Sequence, residues 1–311
     1  MTIFGHDVVL PIENAISSFY YHHFAMNIRY LNPLGFVTAV ILLLSCASYD
    51  ARDTHEVQFI VTGNTYPASP FSGYPEKLEF AFGAMSRENA ALVIHTGNTI
   101  QGGGPEQGIA EQDIVRQLRK FIEQRKTLNA VMHVLIGERD LYRGSHDLFR
   151  RYIGHPPYYS FNFGSAHIVI LYLPSQHYRL DPTQMRWLCR DLERHRQSPA
   201  IFVFTHFPVL TAPSVGVRHP DGEQLHDLFV RYPVKAVISG SLKNLHDFEK
   251  DGIRYINAGC FGFNYEDWHW NFNQFYVIRY DGTHVFVKGV KVNFPPNTYK
   301  PKLYKDEPEK K

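Results

Sequence analysis

Five short apolar runs, each closing in a polar turn, constrain this chain more than any other feature. The turns are Thr62-Gly63-Asn64-Thr65-Tyr66, Thr96-Gly97-Asn98-Thr99, Ile136-Gly137-Glu138-Arg139-Asp140, Thr205-His206-Phe207-Pro208 and Ser239-Gly240-Ser241-Leu242-Lys243. Glycine at the end of a run lets the backbone turn tightly or approach a ligand closely. Segments with helical spacing lie between the runs. Repeats of strand, helix and strand imply parallel strands with right-handed crossovers. Polar residues at the carboxyl ends of such strands converge on one crevice, the usual site in an α/β fold.

The runs Val57–Thr62, Ala91–His95 and Ala130–Ile136 read as strands, and Glu76–Asn89 and Glu106–Arg125 as the helices between them. In the second helix Ile109, Ile114, Leu118, Phe121 and Ile122 line one face. Further strands are expected at Tyr158–Asn162, His167–Leu173, Ala200–Thr205 and Val234–Ser239, with helices at Pro182–Arg196 and Gly222–Tyr232. The end is β-rich: Arg254–Asn257, Gln274–Tyr280 and His284–Val292, the last two joined by the turn signal Asp281-Gly282. With 44% hydrophobic residues the chain can bury one sizeable core, and it shows no internal repeat or linker. One compact domain with two sheets fits best.

The formal charge of +2 argues against nucleic acid as the main partner, since a phosphate backbone demands a basic face. Three cysteines, Cys46, Cys189 and Cys260, make no disulfide framework and read as thiols, with a Cys189–Cys260 bridge as the lesser reading. The run Gly35–Leu44 is apolar but too short to span a bilayer. With Arg29 before it and Leu43-Leu44-Ser45-Cys46 after it, it resembles a bacterial lipoprotein signal peptide, which implies lipidation of Cys46. A signal peptide belongs at an N-terminus, so Met26 is the expected start and residues 1–25 a misassigned extension. The expected organisation is then a signal peptide over 26–45, a linker over 46–56, a domain over 57–292 and a solvated, disordered tail over 293–311. It places the protein outside the cytoplasm, lipid-anchored in a bacterial cell envelope.

The order and spacing of the five turns resemble those of the calcineurin-like metallophosphoesterases, which include the purple acid phosphatases. That family carries D-x-H, G-D, G-N-H-D/E, a lone His and G-H-x-H in sequence. The connecting segments agree: Tyr158-Tyr159-Ser160-Phe161-Asn162-Phe163-Gly164-Ser165-Ala166-His167, Gln184-Met185-Arg186-Trp187-Leu188 and His206-Phe207-Pro208. The resemblance covers nearly all of the chain after residue 56 and implies a four-layer α/β sandwich, two mixed sheets flanked by helices. It also implies two metal ions, an attacking metal-bound hydroxide and hydrolysis of a phosphate ester.

Carried over by position, most of the implied ligands are missing. Asn64 and Tyr66 stand for the first Asp and His, and Asn98 for the bridging Asp. Glu138 stands for the ligand Asn, and Arg139 for the His that protonates the leaving group. Ser241 and Lys243 replace the final His pair, while His206 and Asp140 survive, the latter implied to orient the catalytic His. A two-ion site needs anionic ligands to hold its cations close together. Amides are weaker donors, and Tyr, Ser, Arg and Lys are poor ligands at neutral pH. By residue type, the metal-free site moves from about −2 to about +1.

No metal cofactor is therefore expected. The alternative is one divalent ion (zinc, manganese or iron) on His206, Asn64, Asn98 and Glu138. Arg can grip phosphate or carboxylate bidentately, so Arg139, Lys243, Asn64 and Asn98 form a candidate anion site. Paired instead with Glu138 and Asp140, the two cations would make an inert relic. The leading expectation is a pseudoenzyme that binds a phosphate-containing ligand or an envelope protein. The aromatic stretch Tyr265–Phe272 is a candidate contact surface. The rivals are a hydrolase with a remodelled, mononuclear site and a purely structural envelope protein. His95, His133, His167, His219, His246 and His269 read as packed or solvated. Gly102-Gly103-Gly104 lacks the Lys-Ser/Thr of a P-loop and reads as a flexible loop at the crevice rim.

Overall fold

A computed structural model describes residues 55–72, 77–216, 219–242, 245–258 and 274–292. Strand β1 (Glu56–Thr62) is buried along most of its length, as a β-branched run without alternation demands. It pairs in parallel with β2 (Leu92–His95), and β2 with β3 (Val131–Val134). On its other side β1 runs antiparallel to β10 (Gln274–Asp281), which pairs with β11 (Val285–Lys291). The first sheet thus has the order β11-β10-β1-β2-β3. The turn between β10 and β11 lies at Asp281-Gly282: Gly282 takes φ 97°, and the Asp281 carboxylate accepts from the amides of Thr283 and His284 at 2.9 and 2.8 Å.

The second sheet contains β4 (Tyr159–Phe163), β5 (Ala166–Ile170), β6 (Ala200–Phe204), β7 (Val234–Ser239), β8 (Leu245–Lys250) and β9 (Ile253–Ala258). Its order is β4-β5-β6-β7-β9-β8, parallel from β5 to β9 and antiparallel at both edges.

Helices α1 (Lys77–Ser86), α2 (Glu111–Arg125) and α3 (Asp147–Ile153) cover the first sheet. Their Phe82, Leu118, Phe121 and Phe149 pack with Ile60, Val93 and Phe275 of the strands. Helices α4 (Pro182–Arg194) and α5 (Gly222–Phe229) cover the second, bringing Leu188, Leu192, Leu225 and Phe229 against Val169, Ile201 and Val203. Between the sheets a third core packs Phe59 edge-on to Phe202 and Phe204, with ring centroids 5.2 and 5.6 Å apart. These layers make a four-layer α/β sandwich with two mixed sheets. Helix α4 starts where its sequence dictates: Pro182 opens its first turn, and the Asp181 carboxylate caps the amides of Thr183 and Gln184.

Three elements differ from the sequence reading. The helix expected from Glu106 begins at Glu111, because Gly108 takes φ 71° and ends a separate 3₁₀ turn at Pro105–Gln107. Helix α3 was not expected, since its seven residues show little periodicity. Strand β8 was not expected either: it is a charged edge strand, joined to β9 by Asp251-Gly252 in left-handed conformations (φ 50° and 76°). Among the described residues no helix is long and apolar enough to cross a membrane. Cys189 is a free, half-buried thiol. Cys46, Lys243, Cys260, the Tyr265–Phe272 stretch and the tail lie outside the described residues.

Candidate functional site

The polar turns follow β1, β2 and β3 of the first sheet and β6 and β7 of the second, and they meet at one end of the sandwich. Two glycines show how closely. Gly97 has φ 103°, and a Cβ there would lie 2.7 Å from the Gly137 nitrogen and 2.8 Å from His206 Nδ1. A Cβ on Gly240 would strike the Thr96 side chain.

Asn64 and Asn98 adopt left-handed φ values of 55° and 59°, which short amide side chains tolerate. Both are buried. Asn98 Nδ2 donates to Asn64 Oδ1 at 2.9 Å, and Asn64 Nδ2 donates to the Gly240 carbonyl. Asn98 Oδ1 in turn accepts from the Arg139 backbone N–H at 2.9 Å. The two amides that stand for the family's carboxylates therefore bond to each other.

Asp140 is buried beneath them and accepts five hydrogen bonds. Oδ1 takes the Thr99 amide and hydroxyl, each at 2.7 Å, and the Ile100 amide at 3.2 Å. Oδ2 takes the Asn98 amide at 2.7 Å and the Gly137 amide at 2.8 Å. Burial pushes the carboxyl up from its ordinary range, and these donors pull it back. Four of them are backbone N–H groups that can only donate, which favours the carboxylate. Asp140 thus organises the turn that carries Asn98.

The Arg139 guanidinium is half-buried and forms no ion pair with Glu138 or Asp140. Nη1 donates to Gln101 Oε1 at 3.0 Å, and Cζ lies 4.7 Å from the centroid of the Tyr66 ring. The glycine run beside it is pinned rather than free. Gly102 N donates to the Arg139 carbonyl at 2.7 Å, Gly103 N to the Leu141 carbonyl at 3.0 Å, and Arg143 N to the Gly103 carbonyl at 2.9 Å. Buried Gln117 of α2 holds the Gln101 backbone from behind: its Oε1 accepts at 2.7 Å and its Nε2 donates at 3.2 Å.

His206 is fully buried. Its Nδ1 lies 2.7 Å from the Thr96 carbonyl oxygen, so Nδ1 carries a proton. Burial, with the nearby Arg139 charge, pushes its pKa down to about 4, so the ring is neutral and Nε2 presents a lone pair. Among the described residues that atom has no hydrogen-bond partner, and neither has the Ser241 hydroxyl. His95 behind it is satisfied: Nδ1 accepts from Gly97 N at 3.2 Å, and Nε2 lies 2.9 Å from the Thr65 hydroxyl. Glu138 is exposed on the 3₁₀ turn Glu138–Asp140.

These donors do not fit a two-ion centre. Both amide oxygens already accept hydrogen bonds, Tyr66 lies against a guanidinium, and both oxygens of the Asp140 carboxylate are taken up by donors of the turns. Among the described residues of these turns, His206 Nε2 has the form of a ligand: a lone pair on a ring whose other nitrogen is anchored to a carbonyl.

A second cluster lies elsewhere, and the sequence reading missed it beyond His167. His167 Nε2 lies 2.9 Å from Asp191 Oδ2 and Nδ1 2.7 Å from Asn162 Oδ1, while the Ser160 hydroxyl donates to Asp191 Oδ1 at 2.8 Å. The His195 ring stacks on His167 with centroids 3.5 Å apart and planes 12° apart. Burial pushes the Asp191 carboxyl up, but the hydrogen bonds of His167 and Ser160 and the two histidine charges hold it below its ordinary value. Stacked rings keep their in-plane lone pairs in nearly parallel planes, here with centroids 3.5 Å apart, so an ion at ligand distance from both would lie well out of each ring plane. The cluster reads as a polar pin joining α4 to β4 and β5. Beyond the Tyr158–His167 stretch, the i,i+4 spacing of Asp191 and His195 was a signal for it in the sequence.

A profile of the calcineurin-like phosphoesterase family matches residues 53–240, more than half of the 311-residue chain. No curated protein matches the chain. Among solved structures the fold is similar to a dimetal phosphatase from Danio rerio, with TM-score 0.52 and 13% identity over 76% of this chain and 99% of that one. The purple acid phosphatase PPD1 from yellow lupin (Lupinus luteus) seeds gives TM-score 0.57 and 14% identity over 77% of this chain and 52% of that one. GAP50, the anchor in the inner membrane complex of Plasmodium, gives TM-score 0.54 and 13% identity over 80% and 86%. At such identities the likeness speaks for the fold alone. The family typically binds divalent metals, and by turn order the positions that stand for its ligands here are Asn64, Tyr66, Asn98, Glu138, His206, Ser241 and Lys243. Profile, fold and the order of the five turns agree: the chain belongs to the calcineurin-like phosphoesterase family.

Proposed function

We propose that this domain is a non-hydrolytic member of its family whose crevice binds an anionic, phosphate-bearing ligand. One observation carries the reading. The Asn98–Asn64 hydrogen bond lies where carboxylates would hold two cations, beside a guanidinium that no carboxylate among the described residues neutralises. Arg139 supplies the charge and the bidentate donors, and Lys243, which follows Gly240 in the sequence, is the proposed second cation. Calorimetry with phosphate, nucleotides and phosphosugars tests this. Wild type is expected to bind at least one, and Arg139→Ala to lose it. Absence of heat with all three ligand classes on wild type sinks the proposal.

A partner protein in the cell envelope is a further proposed occupant, and the fold serves as an anchor in GAP50. We also propose that Cys46 is lipidated and tethers the domain outside the cytoplasm. Mass spectrometry of the mature N-terminus checks this, and a native peptide spanning residues 1–25 refutes it.

The unpartnered Nε2 of His206 favours one second reading, a single divalent ion and residual phosphoesterase activity. Metal content, together with turnover of an aryl phosphate in manganese or zinc, decides between them. Stoichiometric metal and turnover that His206→Ala abolishes would establish the hydrolase.

A further inference from the structure

The two amides at the family's carboxylate positions form part of a continuous hydrogen-bond string. The Arg139 backbone N–H donates to Asn98 Oδ1 at 2.9 Å, Asn98 Nδ2 donates to Asn64 Oδ1 at 2.9 Å, and Asn64 Nδ2 donates to the Gly240 carbonyl. The string begins at an N–H that can only donate and ends at a carbonyl that can only accept. That polarity fixes the orientation of both amides between them. Each side chain must accept with one atom and donate with the other. A carboxylate has no donor, so Asp fails at either position.

The string also crosses the sandwich. Asn64, Asn98 and Arg139 follow strands of the first sheet, whereas Gly240 follows β7 of the second. His206 Nδ1, 2.7 Å from the Thr96 carbonyl oxygen, makes a second tie over the same gap. Both ties are buried, where hydrogen bonds are stronger than in water.

We infer that this string does, without metal, the structural work of the ion pair that carboxylates would hold at these positions: it fastens the carboxyl ends of the two sheets together. Asn64 and Asn98 thereby make the stability of the domain independent of divalent ions. The inference stands whether or not the crevice takes an anion.

Replacing Asn by Asp tests it cleanly, because Asp also tolerates the left-handed backbone at both sites. In EDTA, Asn98→Asp and the double variant Asn64→Asp/Asn98→Asp are expected to melt about 5 °C or more below wild type. Manganese should restore much of the loss in the double variant and leave wild type unchanged. Asn98→Gly supplies a break without added charge, keeping the positive φ. In that variant, amide exchange at Gly240 and Ser241 is expected to rise about tenfold, although the hydrogen bonds of Asn98 go to Asn64, Arg139 and Asp140. Wild type that melts lower in EDTA or higher in manganese overturns the inference. So do Asp variants that melt with wild type, and an Asn98→Gly variant with unchanged exchange at Gly240 and Ser241.

Discussion

His206 Nδ1 lies 2.7 Å from the carbonyl oxygen of Thr96, while its Nε2 faces no hydrogen-bond partner among the described residues in a fully buried site. A proton added at Nε2 would therefore find no acceptor. Burial, aided by the Arg139 charge, pushes the His206 pKa from 6.5 down to about 4, and burial pushes His95 from 6.5 down to about 3. Unfolded, both rings titrate near 6.5, so the unfolded chain binds more protons below that pH. Stability is complete above about pH 6.5 and falls as the pH drops towards 4, at roughly 3 kcal/mol per pH unit for the two rings together. Denaturant titrations at mildly alkaline and mildly acidic pH measure the slope, and equal stability at both would refute it.

Asp140→Asn should be among the most damaging isosteric changes in the domain. Its new NH₂ group must face either the amides of Asn98 and Gly137 or those of Thr99 and Ile100, all of which are donors. Leaving buried donors without acceptors costs about 1–3 kcal/mol each, so a loss of roughly 3 kcal/mol or more is expected in urea unfolding. A loss below about 1 kcal/mol would show that Asp140 does not hold the turn.

The strands leading to the crevice were legible because their apolar runs and terminal glycines repeat. Asn64, Asn98, Arg139, Asp140 and His206 could be placed in the crevice from turn position alone. Their partners could not, because partners depend on packing between distant elements. Arg139 suggested a carboxylate mate and instead takes Gln101 and the Tyr66 ring. Gln117 lies on α2, sixteen residues from Gln101, and nothing in a helical repeat marks it as the support of that loop. Helix α3 and edge strand β8 escaped because one is too short and the other too charged to show a clear pattern.

The His167–Asp191 pair predicts a stability effect with no metal signature. His167→Leu removes both ring hydrogen bonds and leaves Asp191 on Ser160 alone among its short side-chain bonds, with His195 Nδ1 at 3.6 Å from Oδ1. Breaking such a buried pair costs about 3–5 kcal/mol. Melting curves should show the loss, and zinc should leave the wild-type melting temperature unchanged. A zinc-dependent rise that His167→Leu abolishes would make the cluster a metal site after all.

Gly102→Ala probes the seat of Arg139 without touching its side chain. A Cβ at Gly102 would collide with the carbonyl oxygens of Arg139 and Leu141, and both are backbone atoms that cannot swing aside. Relief requires the loop to lift from the 139–141 segment, breaking the 2.7 Å bond from Gly102 N to the Arg139 carbonyl. Gln101 would move with it, and the guanidinium would lose its 3.0 Å acceptor. Overpacking of this kind costs about 1–3 kcal/mol. If the crevice takes an anion through Arg139, the same change should weaken phosphate binding about tenfold or more, since one charge-assisted contact is worth 1.5 kcal/mol or above. Unfolding and calorimetry on the one variant read the two effects separately. A destabilised protein that binds phosphate as well as wild type would show that the loop supports the fold but not the guanidinium.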